Sequence, residues 1–153
     1  MKPSSLTLID MKFIGVRIET DSNFDANGSE FNFEGTLVQW GISHGKRDDS
    51  GLSWWVGVDF ASKGDEEKIA PYILEIKAAG LFQVNESIPD DQREQFAYEQ
   101  GAALVFGAIR EMVTTVTARS VHGAITLPTA SFVGAFAERP KPASDAKFVD
   151  PSN

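Results

Sequence analysis

Cysteine is absent from this chain, histidine and tyrosine occur twice each, and 14 basic residues face 22 acidic ones. Without cysteine there are no disulfides, no thiolate metal sites and no cysteine nucleophile. The formal net charge of −8, with no cluster of Lys and Arg, argues against a nucleic-acid surface and against anionic membranes. No apolar run approaches the roughly 18 residues of a membrane span. No apolar core follows Met1–Ser5, so no signal peptide is visible. Together with the missing cysteine, which fits a reducing compartment, this points to a cytoplasmic protein.

Recognisable catalytic chemistry is equally scarce. His44 and His122 each stand beside a glycine with no partner at metal-ligand spacing, and a structural or solvent role is expected for both. The acid clusters Asp48-Asp49, Asp65–Glu67 and Asp90-Asp91 fall in turn-like segments, where carboxylates are solvated rather than tuned for acid–base work. No glycine-rich phosphate cradle follows a strand, and no nucleophile elbow is present. Asn23–Glu34 comes near a calcium loop. Its first ligand would be Asn, Glu30 takes a normally apolar position and the flanks read as strands, so a polar turn is the better account. The expectation is a protein that is not an enzyme and carries no metal or cofactor.

What the chain does have is period. Leu6–Glu19 alternates as a strand but changes phase near Gly15, the mark of a bulge. Phe31–His44 reads as a second strand, and Leu52–Ala61 as the cleanest, with Leu52, Trp54, Val56, Val58 and Phe60 on one face and Trp55 on the other, exposed one. Tyr72–Ala78 is a fourth. Short links between the last three favour antiparallel hairpins. Pro89–Gln92 starts a helix that runs over Glu94–Arg119, with a kink or turn expected at Gly101. Val105, Ile109, Met112, Val113 and Val116 form its apolar stripe. A short second helix is expected over Ser131–Glu138, ended by Pro140 and Pro142, with residues 139–153 as a disordered tail after a single domain of residues 1–138.

Three tryptophans and eleven phenylalanines exceed what one four-stranded layer and one helix need to fill a core. Surplus apolar surface is buried by self-association or used for binding. The sheet face away from the helix would carry Trp55, Asp59, Ile73, Glu75 and Lys77, a mixture that suits either solvent or a docking partner.

Three ordered motifs sharpen this. They are the strand Tyr72–Phe82 with its Gly80-Leu81-Phe82 turn, the helix residues Phe106, Arg110, Glu111 and Arg119, and the exit Leu127–Phe132. In this order and spacing they resemble the SecB family of export chaperones. The resemblance implies an α+β fold: a four-stranded antiparallel Greek-key sheet, one long helix and a short C-terminal helix. It also implies a homotetramer built as a dimer of dimers, no catalysis and no cofactor. It implies grooves that hold non-native polypeptides, with Phe24, Phe31, Phe33, Val38, Trp40, Phe132 and Phe136 in the matching positions. The positions that dock the translocase ATPase SecA in the family are matched by Glu19, Ile73 and Glu75. The chain departs from the pattern in three places: Gly15 stands where an acid is expected, Ser131 replaces the exit asparagine, and the second helix is cut short. Some SecB-like proteins instead guard the antitoxin of a toxin–antitoxin pair, and the sequence does not choose between these roles.

Overall fold

The computed structural model describes residues 1–25 and 31–140. Four strands form one antiparallel sheet: β1 (Leu6–Thr20), β2 (Leu37–Lys46), β3 (Ser53–Lys63) and β4 (Tyr72–Val84). Their spatial order is β1-β4-β3-β2, so the three hairpin-linked strands are joined by β1 at the far edge, as in a Greek key. One long helix, α1 (Asp90–Thr117), lies across one face, and a single-turn helix, α2 (Ala135–Glu138), closes the described chain. The expected tail lies outside the described residues from position 141 onward.

The change of phase in β1 is resolved by two irregularities rather than one. Register shifts fall between Leu8 and Asp10 and between Phe13 and Gly15. The inserted residues, Ile9 and Ile14, are exposed. Met11 and Phe13 then pair with Gly80 and Ala78, while Val16 and Ile18 pair with Ile76 and Leu74. All four partners alternate along one face of β4, so each insertion returns the apolar residues of a long strand to the helix side.

β2 starts at Leu37, six residues later than the alternation suggested. Gly35 adopts φ 76° and the Thr36 N–H bonds the Phe33 carbonyl at 3.0 Å, so a turn detaches Phe31 and Phe33 from the sheet. β4, conversely, runs on to Val84, and Gly80–Phe82 is strand rather than turn. Its glycine serves close approach: a Cβ at Gly80 would stand 2.6 Å from the Phe82 ring. Gly101 performs the same service from the helix, where a Cβ would meet Val56 at 2.9 Å and Phe82 at 3.1 Å. The helix therefore runs through Gly101 as one element; the glycine lets helix and sheet touch.

The core between sheet and helix unites Trp54, Val56, Val58, Phe60, Leu74, Ile76 and Phe82 with Ala102, Val105, Phe106, Ile109 and Val113. Of the expected stripe, Val116 is exposed. Trp55 is the main reversal: only 1% of it is exposed. It packs with Ala79 and Leu81 in a small cluster on the outer face, and its indole N–H is buried there with no hydrogen-bond partner among the described residues.

Candidate polypeptide groove and docking face

The segment leaving α1 is where the helix sequence acts. Residues 124–132 have no regular structure, so their backbone groups need partners from elsewhere. One face of α1 supplies them. The Thr117 hydroxyl accepts from the Ile125 N–H at 3.0 Å, and the Thr114 hydroxyl donates to the Ile125 carbonyl at 3.1 Å. Arg110 Nε donates to the Leu127 carbonyl at 2.9 Å. Three turns further toward the N-terminus, Glu99 Oε1 accepts from the Gly134 and Phe136 N–H groups at 3.0 and 3.3 Å. Spacings of three, four and eleven residues place these side chains in a line along the helix. Ile125, Leu127 and Phe132 are buried beneath the segment they belong to.

Three aromatic clusters follow this segment. At its start, Phe24 lies 4.9 Å from His122 and 6.5 Å from Phe31, which contacts Phe33 at 5.0 Å. Tyr72 anchors the turn by donating to the Gly123 carbonyl at 2.8 Å and accepting from the His122 N–H at 3.1 Å. Lys68 ties the same connection down, with Nζ 5.5 Å from the Phe31 ring centroid and a bond to Asn32 at 2.8 Å. Phe24, Phe31 and Phe33 are all half-buried.

At the other end, Trp40 of edge strand β2 rests 5.4 Å from Phe106 and 5.2 Å from Phe132, and Phe106 continues inward to Phe60 at 5.8 Å. Trp40 keeps 47% of its surface exposed and Val38, on the same face of the strand, 39%. Phe132 retains only 5%. Phe136 is half-buried against Tyr98 at 5.5 Å and His44 at 6.1 Å, with the Arg139 guanidinium 3.5 Å above its ring. His44 Nε2 stands 2.8 Å from Glu94 Oε1, which links β2 to α1. Burial pushes the Tyr98 hydroxyl above its ordinary pKa.

The six ring-bearing candidates thus fall into three clusters, Phe24 with Phe31 and Phe33, Trp40 with Phe132, and Phe136 with Tyr98 and His44, and Val38 extends the second along β2. Of these candidates Val38 and Trp40 are the exposed ones, and Phe132 is the floor beneath Trp40. The near-calcium stretch Asn23–Glu34 lies partly outside the described residues.

The outer face carries the other candidates. Glu19 pairs with Ile73 across β1 and β4, and Arg17 with Glu75. Arg17 bridges Glu19 and Glu75 at 3.0 Å each. Its hydrogen bond and charge hold the Glu19 carboxyl below its usual pKa, and the two acids raise the Arg17 guanidinium in return. Asp59 and Lys77 form a neighbouring pair at 3.5 Å. Arg17, Asp59, Glu75 and Lys77 line a shallow cavity of about 660 Å³ with Gly15, Gly41 and Gln39. The face is therefore a mixed-charge surface.

Sequence reasoning named Arg110 but passed over Glu99, Thr114, Thr117 and Arg17. The polar line 110-114-117 beside the apolar stripe was a readable signal. Arg17, two residues before Glu19 on the same strand face, was another. Glu99 had no such signal, because its partners lie 35 and 37 residues away.

A Greek-key sheet with one covering helix, an exit strap stitched to that helix and half-exposed aromatics along the strap define a SecB-type chaperone fold. The sequence model of that family, described as preprotein translocase subunit SecB, matches residues 37–142, and the chain belongs to the SecB family. Among solved structures, the Mycobacterium tuberculosis Rv1957 SecB-like chaperone in complex with a ChAD peptide from the Rv1956 HigA1 antitoxin is similar in fold. Its TM-score is 0.55 at 14% identity, over 83% of this chain and 91% of that one. A Streptococcus agalactiae protein of unknown function aligns with a TM-score of 0.45 at 10% identity, over 80% and 96% of the two chains. No curated protein matches the sequence significantly. Among the described residues, no helix is long and apolar enough to cross a membrane.

Proposed function

We propose that this protein is an ATP-independent holding chaperone that takes unfolded polypeptide segments along the aromatic strap, with Trp40 as the principal contact. The observation that carries this reading is the half-exposed indole of Trp40, backed by Phe106 and Phe132. A rigid aromatic platform offers large contact area at little entropic cost and accepts many side chains. An unfolded chain supplies those side chains, and the net charge of −8 favours basic clients. The test is suppression of aggregation of a denatured basic protein by the wild type and by Trp40→Asp. Suppression by the first and a loss of at least about tenfold in affinity in the second supports the reading. Equal behaviour of the two rejects it.

The family relationship supports a homotetramer, which native mass spectrometry would read directly. Export through SecA and guarding of an antitoxin are two downstream roles for the same groove. The antitoxin role is favoured by two features. One is the single-turn α2, which leaves a short groove suited to one defined segment. The other is the Arg17 bridge, which neutralises part of the acid that a SecA-docking face at Glu19, Ile73 and Glu75 would present. Affinity purification separates the roles: one stoichiometric partner fits the antitoxin role, a mixture of precursors with SecA the export role.

A further inference from the structure

The groove reading leaves one buried ionisable group without a role. Glu99 sits in the middle of α1, only 9% exposed. An interior helical carboxylate beneath an apolar strap is costly unless fully bonded. Its Oε1 takes the Gly134 and Phe136 N–H groups, and Gln95 Nε2 approaches at 3.4 Å. The arrangement answers a local need. Gly134 turns the chain with φ 82°, and α2 has no side-chain cap of its own. The Ala135 and Ala137 N–H groups bond the Phe132 and Gly134 carbonyls, and Glu99 supplies the acceptor for the remaining two, those of Gly134 and Phe136. No residue of α2 is buried, and besides Glu99 the turn is held to the body of the protein by the packing of Ala135 on the core and of the Phe136 ring on Tyr98 and His44.

We infer that Glu99 is a positioning residue for client binding: by fastening the Gly134–Phe136 turn to α1 it sets the Phe136 ring against Tyr98 and His44, and so fixes the far wall of the groove. This rests on the groove reading above. Without the carboxylate, Gly134–Arg139 is released, the Phe136 and Arg139 wall is lost, and a bound segment has only the Trp40 end to rest on.

The experiment compares wild type, Glu99→Ala, Glu99→Gln, Phe136→Ala and the Glu99→Ala/Phe136→Ala double variant, each verified as folded by circular dichroism. Reduced and alkylated lysozyme, a permanently unfolded basic chain, serves as the client. Amide hydrogen exchange at Gly134 and Phe136 reports the latch itself. Alanine is a good helix former, so Glu99→Ala removes the acceptor without harming α1. In it, exchange at both amides accelerates and client affinity falls about tenfold, the scale of losing hydrogen bonds to a charged acceptor. Glu99→Gln keeps a neutral acceptor oxygen and loses less of both. The double variant is no weaker than Phe136→Ala alone, because both act through the same ring. Unchanged exchange in Glu99→Ala overturns the inference. So does faster exchange with unchanged affinity, or a double variant whose losses simply add. A wild type that binds no unfolded lysozyme removes the groove reading itself, an outcome distinct from failure of the latch.

Discussion

The rings of Trp40 and Phe132 lie 5.2 Å apart, one nearly half exposed and the other almost sealed. Two residues that occupy one groove therefore differ in what they do. Trp40 offers surface, and Phe132 holds that surface in place from below.

Phe132→Ala should show this division. It removes a buried ring from the junction of strap, helix and β2, and costs about 3–5 kcal/mol of stability. Denaturant unfolding would record the loss as a lower midpoint. Trp40→Ala should unfold close to wild type while losing client affinity. If the two variants were equally stable, Phe132 would not be the floor of the site.

Gly101→Ala tests the contact between helix and sheet. Alanine gains about 1 kcal/mol of helix propensity over glycine. Against that stands a methyl group 2.9 Å from Val56 and 3.1 Å from Phe82. Overpacking of this kind costs about 1–3 kcal/mol, so a net loss of stability is expected in chemical denaturation. A stabilised Gly101→Ala protein would mean that the helix can move off the sheet.

The Arg17 bridge has a pH signature. The Glu19 carboxyl is held below its usual value by its hydrogen bond to Arg17 and then by charge. A depressed carboxylate contributes its stabilisation above the unfolded-state pKa and loses it as pH falls through the lower folded value. The bridge is thus present at neutral pH and released only in acid. Carbon-detected NMR titration of Glu19 should place its midpoint below the ordinary value of about 4.3, and Arg17→Ala should return it upward. Both residues are exposed, so the change in global stability should be small.

Glu75→Arg bears on the outer face. It sets a second cation beside Arg17 and reverses one charge of the mixed surface. Client affinity measured on the groove should be unchanged, whereas any partner that docks on Glu19, Ile73 and Glu75 should be lost in co-purification. A partner retained by Glu75→Arg would have to dock elsewhere.

Much of this fold was legible from period and punctuation. Alternation in Leu52–Phe60 and Tyr72–Ile76 announced two central strands, and the stripe through Val105, Ile109 and Val113 announced the face that meets them. The errors have a shared cause. Gly80 and Gly101 were read as local breaks, yet both are the result of the Phe82 ring lying between strand and helix. The alternation that carries β2 reads on through Phe33 and Phe31, and the turn at Gly35 detaches both from the sheet. Trp55 was placed on an open face by its parity, and its neighbours Ala79 and Leu81 bury it.

By itself, then, the sequence determined the order and type of the elements, the helix face that meets the sheet and the surplus of aromatic residues, because these depend on spacing along the chain. Only the tertiary structure decided which aromatics remain accessible and which support them, that Arg17 neutralises the acids of the outer face, and that Glu99 fastens a turn 35 residues away. Exposure and pairing are set by neighbours distant in sequence, and no local period encodes them.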